Sequence, residues 1–123
     1  MSDRLHPADV LYGGEKPFPA LPACEHYAGN EKLIRKALDL QAQLGPIFDI
    51  TCDCEDGAPA GQEAAHARMV AGLILDSANR FDRVGARIHD VRHAHWRADL
   101  DIILSLAGNK IAYVVLPKPE SVA

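Results

Sequence analysis

A chain of 123 residues that is 48% hydrophobic and 24% charged has the composition of one ordinary globular domain, not of a disordered or fibrous segment. Its formal net charge of -4 at pH 7, with 13 scattered Lys and Arg, argues against a nucleic-acid groove. No apolar run approaches the roughly 18 residues of a membrane span, and residues 1–10 lack the apolar centre of a signal peptide, so a cytoplasmic protein with no membrane partner is expected.

Residues 1–22 carry Gly13, Gly14, Pro17, Pro19 and Pro22 with little periodicity and read as an irregular arm. Residues 23–28 suit a short strand. Gly29-Asn30-Glu31 then starts a helix, with Asn30 as N-cap and an acid at the positive end of the dipole. It is predicted to run to about Leu44, with Leu33, Ile34, Ala37, Leu38, Gln41 and Leu44 on the buried face and Lys32, Arg35, Lys36 and Asp39 turned outward. Gly45-Pro46 ends it.

Residues 47–53 alternate, so that Ile47, Asp49, Thr51 and Asp53 share one side of a strand and Phe48, Ile50 and Cys52 the other. A loop over 54–61 leads to helical spacing over 62–79 through Ala67, Val70, Ala71 and Ile74. Residues 84–89 read as a strand. Residues 96–107 form an amphipathic helix through Trp96, Leu100, Ile103, Leu104 and Ala107, stopped at Gly108-Asn109, and 111–116 are the last, apolar strand. Alternating strands and helices imply an α/β fold of parallel strands joined by right-handed crossovers. Strands buried on both faces are usually apolar throughout, so Asp49, Thr51 and Asp53 need a polar interior, such as the mouth of a barrel.

Cys24, Cys52 and Cys54 are an odd count, and C-x-C on an extended segment is not the spacing of a zinc ribbon; reduced thiols are expected. His89, His93 and His95 with Asp90 form HDVRHAH, a cluster that attracts first-row metals in other settings but lacks a zinc-site spacing.

In order and spacing, AGNEKLIRKAL, DCEDGAPAG followed by EAAHAR, ARIHD, WRADLDIIL and LPKPES resemble the citrate lyase beta-subunit and malyl-CoA lyase group of the HpcH/HpaI aldolase superfamily. The resemblance covers nearly everything after the arm. It implies that 23–123 form about the first half of a TIM-like (β/α)8 barrel, because a full barrel takes about 250 residues. It also implies carbon–carbon bond cleavage or formation on a coenzyme A thioester or 2-oxo acid, with magnesium stabilising an enolate. The family's metal-ligating Glu and Asp fall on later strands, so no direct metal ligand is expected in this chain. Arg87-Ile88-His89-Asp90 departs from the family, which more often has asparagine after this arginine-containing strand.

The matched motifs fall at the carboxyl ends of strands, where barrel enzymes place their catalytic groups. The resemblance assigns Arg87 a substrate-binding role, which makes it the catalytic candidate; Asp53 and Lys118 are further substrate-binding candidates. An arginine there can hold a carboxylate or developing enolate by two parallel N–H bonds, a fork that lysine cannot reproduce. The alternative is an ion pair with Asp90 or Asp53. Glu55 and Asp56 suit a second shell around magnesium, since that ion keeps several waters; otherwise Asp56 caps the turn and Glu55 pairs with an arginine. Lys118 can bind a phosphate or pair with Glu55 or Asp56. A non-catalytic role stays open beside the lyase: a half-barrel exposing the edges of its first and fourth strands would serve in oligomerisation or ligand binding. A homo-oligomer is expected in either case.

Overall fold

Strands and helices alternate from residue 25 onward in the computed structural model, which describes residues 5–13 and 21–122. The order is α1 (Pro7–Tyr12), β1 (Glu25–Ala28), α2 (Glu31–Leu44), β2 (Asp49–Asp53), α3 (Glu63–Leu75), β3 (Val84–Arg87), α4 (Trp96–Ala107) and β4 (Val114–Val115). The helix α1 lies within the stretch expected to be irregular; residues 1–4 and 14–20 of that arm, and residue 123, lie outside the described residues.

The four strands form one sheet in the order β1-β2-β3-β4, and every neighbouring pair is parallel. With a helix between successive strands, this is the expected α/β arrangement of part of a (β/α) barrel. Among the described residues no helix is long and apolar enough to cross a membrane.

Local signals explain the helices. Asn30 has extended backbone and its Oδ1 accepts from the Leu33 N–H at 2.9 Å, which satisfies one of the orphan donors of α2; Gly45, at φ 84, takes the left-handed turn that ends the helix. The buried face is Ile34, Ala37, Leu38 and Gln41. Leu33 and Leu44 were expected there too, but they flank the stripe and are 46% and 58% exposed.

Ala28, Ile50, Cys52, Val84 and Ala86 from the strands meet Ile34, Leu38, Val70, Ile74 and Ile103 from the helices in one core. Each large aliphatic buried there contributes about 1.5–3 kcal/mol. Strand alternation sends Tyr27, Thr51, Asp53 and Arg87 to the opposite face, which confirms the two-sided reading of residues 49–53. β4 is shorter than predicted. Only Val114 and Val115 pair, both half-buried, and Leu116 is 59% exposed, because the strand has a partner on one edge alone among the described residues.

Candidate active site on the polar face of the sheet

Two belts of polar side chains cross the face away from the helices. In the lower belt Glu25 Oε2 accepts from Thr51 Oγ1 at 2.7 Å, and Thr51 Oγ1 lies 2.8 Å from Tyr113 Oη. A hydroxyl has one proton, so with Thr51 donating to Glu25, the Tyr113 proton is shared between Thr51 Oγ1 and the Ile50 carbonyl oxygen 3.3 Å away. Burial pushes the Tyr113 phenol well above its ordinary range. The Tyr113 ring reaches Thr51 by packing closely on Gly85: a Cβ at residue 85 would stand 2.3 Å from Cε2 of that ring. A lone glycine inside a strand is the sequence signature of such an approach, and it was the available clue to this belt.

The upper belt centres on Asp53 and Arg87, registered partners at the carboxyl ends of β2 and β3. Arg87 Nε donates to Asp53 Oδ1 at 3.0 Å and Nη2 to Oδ2 at 2.7 Å. The backbone N–H of Glu55 donates to Oδ1 and that of Gly57 to Oδ2, both at 2.9 Å. Burial raises the Asp53 pKa, but the Arg87 fork and the two backbone bonds outweigh it and hold the carboxyl below its ordinary value. Asp53 in turn holds the Arg87 guanidinium firmly charged.

Gly57 is fixed by this arrangement, since a Cβ there would lie 2.6 Å from Asp53 Oδ2; Gly29 packs so tightly on Gly57 that its own Cβ would meet the Gly57 carbonyl oxygen at 1.8 Å. The buried His66 of α3 adds a bond of 2.8 Å from Nε2 to the Asp53 carbonyl, which requires the Nε2–H tautomer.

The ion pair between Arg87 and Asp53, one of the alternatives open from sequence, is therefore present. It uses the side edge of the guanidinium. Of five N–H donors, Asp53 takes two; the end edge, made by Nη1 and the second Nη2 proton, belongs to neither bond. With four donors around its two oxygens, Asp53 has no acceptor position left for a ligand.

Lys118 spans the turn, with Nζ 3.0 Å from Glu55 Oε1 and 3.4 Å from Asp56 Oδ2. Its backbone sits at φ 48 immediately before Pro119, in the left-handed region that a lysine rarely adopts. Glu55, and then Asp56, raise its pKa. The Glu55 side chain is 7% exposed. Its contact with Lys118 is one of charge, and neither carboxylate oxygen accepts an aligned hydrogen bond among the described residues.

The histidines do meet. His89 and His93 stack with centroids 4.0 Å apart and planes 15° apart, and His95 lies 5.7 Å from His93. The buried Asp99, which the sequence did not single out, accepts from the His89 backbone N–H at 3.0 Å and contacts His89 Nδ1. Stacked rings do not direct their lone pairs at one point. Among the described residues no group of three or more His, Cys, Asp or Glu side chains is arranged to hold a metal ion. Glu55 is left with buried carboxylate oxygens that no aligned hydrogen bond meets among the described residues.

The chain is similar to a citrate lyase from Burkholderia xenovorans LB400 seen in a crystal structure, with a TM-score of 0.80 and 59% sequence identity over 84% of this chain and 32% of that one. It therefore spans well under two thirds of that protein's length. No family model matches the chain, and no curated protein does.

Proposed function

We propose, on the premise that this chain is homologous over most of its length to a protein of the citrate lyase beta-subunit and HpcH/HpaI family, that it serves a carbon–carbon lyase or aldolase acting on a CoA thioester or 2-oxo acid. The observation that carries the reading is the Arg87 guanidinium. It is anchored through its side edge by a saturated aspartate and keeps its end edge for another anion.

When a carbon–carbon bond next to a carbonyl breaks, its electron pair moves towards the carbonyl oxygen of one fragment, and positive charge must already stand there. Arg87 supplies such a charge in a fixed orientation, with two parallel donors matched to a carboxylate or enolate. Asp53 takes part in substrate binding through Arg87, by holding it. Magnesium, when bound, would supply further positive charge to the same oxygen. Glu55 would accept from the water around that ion, with Asp56 beside it, while Lys118 balances the two carboxylates and presents an exposed ammonium to a substrate anion.

Arg87→Ala tests the reading. Magnesium-dependent cleavage of 3-hydroxyacyl-CoA thioesters and of 4-hydroxy-2-oxo acids is measured in a longer protein that carries this chain within a whole barrel, with and without the substitution. A fall in kcat/KM of about a hundredfold or more with the circular dichroism spectrum retained is expected. Unchanged turnover refutes the role of Arg87.

A further inference from the structure

Arg87 belongs to β3, yet its guanidinium lies over the Tyr27 ring of β1, with Cζ 4.9 Å from the ring centroid; β2 runs between the two strands. The side chain is laid across the sheet. A carboxylate fork fixes one edge of a guanidinium but leaves its plane free to tilt about that edge, and a ring face against the plane removes the tilt.

Tyr27 is itself held. Its hydroxyl donates to Glu25 Oε1 at 2.9 Å, and the other oxygen of Glu25 is tied to Thr51 and through it to Tyr113. The ring is 39% exposed and lies outside the hydrophobic core, so packing gives no reason for an aromatic side chain at this position.

We propose that Tyr27 is a positioning residue for Arg87, a ring that sets the plane of the guanidinium so that its end edge meets a carboxylate or enolate oxygen in the plane of the fork. The inference rests on Arg87 being the anion clamp. The ring face is what acts on the guanidinium, and Asp53 and Tyr27 together determine where the anion sits. The fork on Asp53 needs β2 and β3 alone, and Tyr27 is how β1 reaches the guanidinium.

The test is a titration of the full chain with oxalate, a planar mimic of the enolate of a 2-oxo acid, followed through the Arg87 Nε–Hε NMR signal. Tyr27→Phe keeps the ring; Tyr27→Leu removes it. Binding in Y27F should stay within roughly twofold of the unsubstituted chain, while Y27L should weaken it roughly three- to tenfold and abolish the ring-current shift of Arg87 Hε. The thermal unfolding midpoint should move little in either variant. Should Y27L fold poorly, Tyr27→Met, unbranched and without a π face, repeats the comparison.

Oxalate binding by the ring-less variant equal to that of the unsubstituted chain overturns the positioning role and leaves the clamp standing. Failure of Y27F to preserve binding also overturns it. No binding of oxalate by the unsubstituted chain overturns clamp and positioning role together.

Discussion

At the scale of single residues the site depends on Asp53 being an anion. Asp53→Asn keeps the shape but replaces one acceptor oxygen with a donor amide that faces either Arg87 or a backbone N–H. A loss of about 2–3 kcal/mol is expected, below the range for fully buried pairs because Arg87 is 23% exposed, and urea unfolding measures it. The cysteines make a separate prediction. Cys24 is exposed, whereas Cys52 and Cys54 are buried, and burial pushes the Cys52 thiol up to about 12. A native chain at pH 8 should therefore react at Cys24 alone with a thiol reagent, and at all three cysteines in denaturant. Arg87 could be picked out from sequence because a motif and a strand end coincide on it. Tyr27 could not, since its role depends on an arginine 60 positions away crossing an intervening strand.

At the scale of elements, the helices were legible and the strand faces more so than the strand lengths. Asn30, Gly45 and the spacing Ile34, Ala37, Leu38, Gln41 carry local chemistry, which is why α2 begins and ends where expected. Leu33, Leu44 and Leu104 were misplaced because periodicity gives the centre of a stripe but not its width. Asp99 was missed for the opposite reason: a carboxylate on α4 becomes buried only because the β3–α4 loop folds His89 onto it. Contact between β3 and β4 gives the prediction for this scale. Gly85→Ala drives a methyl into the Tyr113 ring and should cost about 1–3 kcal/mol. In a Tyr113→Ala background most of that cost should vanish, and a double-mutant cycle of urea unfolding free energies reads the coupling. Additive effects would mean that the ring does not lie on Gly85.

For the molecule as a whole, the lowered and raised pKa values bound the range of stability. Asp53, Glu63, Asp76 and Asp90 are held below their ordinary values, so the stability they contribute is present above the unfolded carboxylate range near pH 4 and is lost as pH falls through their folded values. Burial raises Tyr27, Tyr113 and Cys52, so their contributions hold below the unfolded values and fade above about pH 9–10, as thiols and phenols ionise more readily in the unfolded chain. Urea midpoints should fall at both ends, and D53N should flatten the acid limb. The α/β order was readable from alternation, and the polar face of β2 from Asp49, Thr51 and Asp53. Which side chains bridge the strands was not, because that depends on register between segments 26 to 63 residues apart. The central claim is that a guanidinium fork with one free edge holds the substrate anion, and Arg87→Lys tests it most directly because charge is kept and the fork is removed. The measurement is kcat/KM for magnesium-dependent cleavage of a 3-hydroxyacyl-CoA thioester by a longer protein that carries this chain within a whole barrel. A loss of about a hundredfold with the fold intact is predicted, and a lysine variant as active as the arginine chain would contradict the account.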